Sequence, residues 1–202
     1  VALTVGGSLL IETVRAGQVA ASWQRIGADV RVEGQVTPSQ VADVAGKSGV
    51  TAAGSALVTT GVQMELGTTT GFATMLAIDH RFPDAAGSQP GASDSASLRK
   101  LARDTAPTAA LPVVVDTALA RDLVTGNIAL YYGLKKVPLR VVGTTDLTPT
   151  GYLSGPFIYV DLASLSERMS ESLTARTLLV VGPGARHAAA GLHVPRASIH
   201  SR

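Results

Sequence analysis

A chain of 202 residues that is 46% apolar, 4% aromatic and 16% charged has the composition of a folded protein of one or two domains, not of a disordered one. Seventeen basic side chains against fifteen acidic ones leave a net charge of +2, and they are scattered, with no basic stripe of the kind nucleic-acid-binding domains carry. There is no cysteine, which excludes disulfides, thiolate catalysis and cysteine-ligated metals together.

The chain opens on VALTVGGSLLI, eleven residues without a charge. This run is shorter than the roughly 20 apolar residues that span a bilayer. No Lys or Arg precedes it and no small-x-small site follows it, so it does not have the form of a signal peptide. Glu12, Arg15, Gln18, Ser22 and Arg25 then recur at steps of three and four, opposite Leu10, Val14, Gly17 and Ala21. That periodicity predicts one helix over residues 9–25, weakened by Gly17, which costs about 1 kcal/mol relative to Ala. In ADVRVEG, Val30 and Val32 alternate with charged neighbours, the period of a half-buried strand. TPSQVADVAG reads as a helix in which Thr37 and Gln40 form a capping box, Pro38 opens the first turn and Gly46 closes the last. Residues 50–66 and 72–79, rich in Val, Thr and Ala, read as strands joined by GTTTG. Residues 83–97, PDAAGSQPGASDSAS, hold almost nothing to bury and read as a flexible surface loop. A short helix with Leu98, Leu101 and Ala102 on one side follows. This alternation predicts an α/β layer with helices on one face of a sheet.

Beyond residue 110, LPVVVD reads as a buried strand whose Asp116 caps the helix TALARDL. IALYY and VPLRVVGTTD form a hairpin around GLKK. FIYV is another strand, Asp161 caps a helix with Leu162, Leu165 and Met169 inward, and RTLLVVG is a strand ended by Gly182-Pro183-Gly184. The sequence contains no internal repeat.

Motifs that would carry chemistry fail on their spacing. Gly46-Lys47-Ser48 is a fragment of a phosphate-binding loop, but Val41 stands where the loop needs glycine, and Gly46 ends a helix where that loop must begin one. In GPGARH, His187 takes the place of the third glycine of a dinucleotide fingerprint, so a tight turn explains the glycines better. His80, His187, His193 and His200 are too widely spaced for a helix-borne metal pair. There is no G-x-S-x-G elbow. Asp79 and His80 are neighbours whose side chains point to opposite faces of a strand. Tyr131, Tyr132, Tyr152, Phe157 and Tyr159 form an aromatic group, read as core and turn residues of a small β unit in preference to a contact patch. These readings leave no catalytic, cofactor-binding or metal-ligating residue to nominate, and no contact residue for a substrate or partner.

Three stretches carry a resemblance when taken together and in order: ETVRAGQVAASWQRIGADVRVEG, then PVVVDTALARDL with the hairpin ending PLRVVGTTD, then GPFIYVDLASL. They resemble the extracytoplasmic domain of FtsX/MacB-type ABC-transporter permeases, inserted between the first two membrane helices. The resemblance implies an α+β fold, with a mixed α/β layer next to the membrane helices (residues 12–110 and 174–202) and a smaller inserted β-rich part (residues 111–173). Residues 1–11 would be the outer end of the first membrane helix. It further implies a non-catalytic, cofactor-free domain on the outer side of the cell membrane, coupling ATP-driven motion to an external substrate or partner, protein or lipid. The partners would be a cytoplasmic ATPase subunit and a second permease copy in a dimeric transporter, with no nucleic acid. A secreted ligand-binding protein or a hydrolase with distant catalytic residues are the alternatives. The resemblance assigns no role to residues 83–97.

Overall fold

The computed structural model describes residues 27–88, 95–104, 109–123, 128–147, 155–194 and 198–201. The apolar segment 1–11, the helix expected over residues 9–25 and Tyr152 lie outside them.

Strand β1 (Val30–Val36) is followed by helix α1 (Pro38–Ala45). The capping box forms as expected, with the Gln40 N–H donating to the Thr37 hydroxyl and the Thr37 N–H to Gln40 Oε1. Strands β2 (Ala52–Leu66) and β3 (Thr69–Ile78) make a long hairpin whose turn, Gly67-Thr68, is tighter than the five residues of GTTTG. Helices α2 (Phe82–Ala86) and α3 (Ala96–Arg103) precede β4 (Leu111–Asp116) and α4 (Thr117–Asp122). Strands β5 (Ile128–Tyr132), β6 (Lys135–Thr145) and β7 (Phe157–Asp161) lead to α5 (Leu162–Met169), β8 (Ala175–Val181), α6 (Ala185–Ala190) and β9 (Ser198–Ser201). Asp116 and Asp161 cap α4 and α5 as expected, accepting from the N–H groups of Ala118 and Ser164. The fold is α+β.

The described strands form one sheet in the order β3-β7-β4-β6-β5-β2-β8-β1-β9, and β2 also pairs with β3. That extra pairing closes β3, β7, β4, β6, β5 and β2 into a ring and leaves β8, β1 and β9 as an open wing. Residues 111–173 supply β4 to β7 of the ring, and the β2–β3 hairpin supplies the rest. Only the pairs β3–β7 and β4–β6 are parallel. Inside the ring pack Met64, Met75, Val113, Leu130, Val137 and Ile158, with Leu119 from α4 and Leu165 and Met169 from α5. Along β2 the inward positions change parity, from Leu57 to Val62 and Met64. The register shift between Thr59 and Val62 explains this, because one extra residue in a bulge moves every later side chain to the other face.

In the wing, β8 is buried on both faces. Leu178 and Val180 join α1, α6 and β1 in one core, while Leu179 and Val181 join Phe82, Ala85 and Ala86 of α2 in another. Helices therefore lie on both faces of the sheet, where the element order suggested one.

The expected loop 83–97 is in part a correction. Phe82–Ala86 is a helix, with Phe82, Pro83, Ala85 and Ala86 all buried, and Ala96 begins α3. The helix seats on Gly54 of β2, where a Cβ would stand 2.4 Å from the Phe82 Cα. Small residues suffice to bury a helix at a backbone-to-backbone approach, so a composition poor in large apolar side chains did not reveal it.

Candidate interaction site

The residues singled out by motif do not converge on a reaction centre. The Asp79 carboxylate accepts four hydrogen bonds: from the Ser55 N–H and hydroxyl at 2.9 and 2.7 Å, and from the Arg81 and Phe82 N–H groups at 3.0 and 2.8 Å. It fastens the start of α2 to β2. His80 instead accepts from Arg81 Nε at 3.3 Å. The two glycine motifs set aside above meet each other. The Gly184 N–H donates to the Gly49 carbonyl at 2.8 Å, and a Cβ on Gly182 would lie 2.4 Å from that same oxygen. Gly49, which follows the GKS stretch, and the glycines of GPG thus serve a crossing of two backbones, while Gly46 closes α1, and the turn Gly182-Pro183-Gly184 leads directly into α6. Of the other histidines, His193 offers its backbone carbonyl to Gln40 and His200 sits opposite Arg31 on β9. Among the described residues, no three His, Asp or Glu side chains are grouped to hold a metal.

The aromatic group splits in two. Phe157 and Tyr159 pack with Phe82, at ring-centroid distances of 5.7 Å and 6.2 Å from Tyr159, and Tyr159 donates its hydroxyl to the Leu147 carbonyl at 2.6 Å. Burial pushes the Tyr159 phenol well above its ordinary pKa, which keeps it a donor. Tyr132 packs against the ring core, whereas Tyr131 faces outward.

That outer face of the ring carries the one large aromatic left uncovered among the described residues. Phe72 is 68% exposed and lies in register with Gln63, Tyr131 and Lys136 across β3, β2, β5 and β6. Beside this row, Glu65 Oε2 accepts from Tyr131 Oη at 2.9 Å and Lys136 Nζ at 2.7 Å. The Lys136 hydrogen bond, and then that of Tyr131, hold the Glu65 carboxyl below its ordinary pKa, and Glu65 raises that of Lys136. Phe72 also rims an open cavity of about 490 Å³ at the mouth of the ring, lined by Met64, Leu66, Leu119, Pro156 and Asp116. Sequence reasoning missed Phe72, and its only signal was a lone aromatic inside TTTGFAT.

This face is remote from the wing. Val30 on β1 pairs with Ser201 on β9, so the first and last described strands meet side by side. Strand β2 starts beside them, with Ala52 opposite Val181, and its 15 residues span roughly 45–50 Å at the strand rise. The hairpin tip, Phe72 and the cavity therefore lie at the end away from the joined strands.

No sequence-family profile matches the chain, and no curated protein matches it in sequence. Solved structures do match. The extracellular domain of the ABC-type transporter YknZ from Gram-positive bacteria aligns with a TM-score of 0.53 at 11% identity, over 80% of this chain and 87% of that one. The periplasmic region of MacB from Actinobacillus actinomycetemcomitans aligns with a TM-score of 0.55 at 12% identity, over 87% of this chain and 90% of that one. The described strands and helices thus share the fold of extracytoplasmic domains of ABC-transporter permeases, the fold that the order of elements in the sequence resembled.

Proposed function

We propose that this chain is the extracytoplasmic domain of an ABC-transporter permease, non-catalytic, passing the motion of a cytoplasmic ATPase subunit to an external substrate or partner. Residues 1–11 then end the first membrane helix and residues 12–110 and 174–202 form the membrane-proximal part. Residues 111–173 carry the part that faces outward, in a transporter with two permease copies in the cell membrane. The observation that carries this reading is the pairing of Val30 with Ser201. A domain inserted between two consecutive membrane helices has to leave and rejoin the bilayer at one place, and adjacent antiparallel strands do this. The spent hydrogen bonds of Asp79 and the backbone role of the glycine motifs support a non-catalytic domain. Among the described residues no helix is long and apolar enough to cross a membrane.

Two experiments test it. The chain has no cysteine, and Leu134 on the β5–β6 turn is fully exposed, so Leu134→Cys in the full-length protein provides a clean topological label. A membrane-impermeant maleimide should modify it in intact cells, and protection until lysis would overturn the extracytoplasmic assignment. Coupling is tested with Ala20→Pro, which breaks the helix expected over residues 9–25 at a cost of about 3 kcal/mol or more. Transport, or substrate-stimulated ATPase activity in reconstituted membranes, should fall. Normal activity in a folded, inserted variant would rule out a rigid lever.

A further inference from the structure

The mouth of the ring beside Phe72 is open because the residues around it differ in size. Gly71, Ala73, Ala118 and Gly155 contribute little or no side chain, and Met64, Leu66, Leu119 and Pro156 wall the space they leave. The strands themselves hold these walls in place. Met64 pairs with Gly71 across the β2–β3 hairpin, and the Thr74 N–H donates to the Pro156 carbonyl at 2.9 Å, which fixes the approach to β7 alongside β3. Leu119 comes from α4, which starts where β4 ends at Asp116. At about 490 Å³ the cavity falls within the roughly 300–1,000 Å³ of small-molecule sites, and its walls are mostly apolar, as theirs are.

The charge in this lining has one sign. Among the described residues that line the cavity Asp116 alone is charged, and no Lys, Arg or His is there. One oxygen of Asp116, Oδ1, accepts from the Ala118 N–H at 2.7 Å, the contact that caps α4. The other oxygen has no hydrogen-bond or ion-pair partner among the described residues. Phe72 stands on the rim, 68% exposed. A cation placed between them would be attracted by the carboxylate and by the negative face of the aromatic ring. Lys136, the cation in the same strand row as Phe72, lies on β6 and is held by Glu65 at 2.7 Å, so it is already engaged.

We propose that the mouth of the ring binds a small organic cation carrying an apolar chain. The chain lies along Met64, Leu66 and Leu119, and the cationic head sits between the Asp116 carboxylate and the Phe72 ring. This rests on the reading above for its setting and deepens it, by naming the chemistry of the external substrate. Both halves of the ligand are required by the lining. An inorganic cation would leave the apolar walls in water, and a neutral chain would cover the Asp116 charge without giving it a partner. An amphiphile with an anionic head would meet a like charge.

The test is titration calorimetry of the 202-residue chain with octyltrimethylammonium, neutral octyl glucoside and octyl sulfate, each below its micelle concentration. The ammonium should bind saturably and most tightly, and the sulfate should not bind. Asp116→Asn keeps the cap on α4, because an asparagine oxygen accepts the same N–H. It should weaken the ammonium about tenfold and leave the glucoside unchanged. Phe72→Ser should weaken the ammonium about fivefold. Glu167→Gln removes the same charge from an exposed position on α5, outside the cavity, and should bind as the parent does. Equal affinity for the three probes would mean that only the octyl chain is recognised, and would overturn the proposal. So would an ammonium affinity that Asp116→Asn leaves intact, or an equal loss in Glu167→Gln. Absence of binding to the folded chain would also overturn it and leave the Leu134→Cys labelling unaffected, so the site and the topology are judged separately.

Discussion

The wing around β8 and the ring beyond it are built from similar strands but bury them differently. Strand β8 is covered on both faces, by α1 and α6 on one side and α2 on the other, so nearly every residue from Thr177 to Val181 is apolar and buried. In the β2, β3, β5 and β6 part of the ring, the inner side chains are buried while Gln63, Phe72 and Lys136 face water. A two-sided strand is constrained at every position, by packing volume on both sides and by backbone approach at its ends. A one-sided strand is constrained at every second position, and the others are free to make contacts with something else. The wing is therefore the structural base of the molecule, and the ring is where an interaction surface can be carried without cost to folding.

The largest effect that tests this contrast is at two glycines. Gly54→Val places a side chain into the backbone of α2 and should destabilise the protein by about 3 kcal/mol or more in urea denaturation. Gly67→Ala, at the ring's hairpin tip with open space around it, should cost only about 1 kcal/mol, from its positive φ of 64°. Equal losses would mean that the wing yields as easily as the tip. Next is Tyr159→Phe, which leaves the Leu147 carbonyl without its donor in the core shared by ring and wing. We expect a loss of about 1–2 kcal/mol, and a neutral result would show that the carbonyl finds another partner.

Phe72→Ser should change stability by less than about 0.5 kcal/mol, because its ring is largely in water. A loss above about 2 kcal/mol would show that Phe72 holds the ring together and is not surplus to it. The smallest effect concerns acid. Glu65 has its carboxyl pKa lowered in the folded state, chiefly by Lys136 and then by Tyr131. Its contribution to stability is present above the unfolded carboxyl pKa and is lost as pH falls through the folded one. Glu65→Gln should therefore be slightly less stable than the parent near neutrality, and the two should converge as the parent loses this contribution in acid. The pair is part-exposed, with side chains 25% and 51% accessible, so the difference is small. A gap that stays constant from neutral to strongly acidic pH would show that Glu65 acts through packing.

Local chemistry was legible because it is written in neighbouring residues. Thr37 with Gln40, Asp116 with Ala118 and Asp161 with Ser164 are contacts across two or three positions, and each formed as the spacing required. Strands with period-two or continuous apolar runs, such as β1, β4 and β8, were legible for the same reason. The order of elements carried the fold class and its likeness to permease domains. Only the tertiary structure decided what depends on distant partners: that β2 pairs with both β3 and β5 and so closes a ring, and that a bulge after Thr59 reverses which β2 residues face inward. It also decided that α2 could be buried on the bare backbone of Gly54, and that Gly49, just after GKS, crosses the backbone of the GPG turn. Phe72 belongs with these. Whether an aromatic on a strand is core or surface depends on what covers that face, and that covering comes from segments far away in the chain.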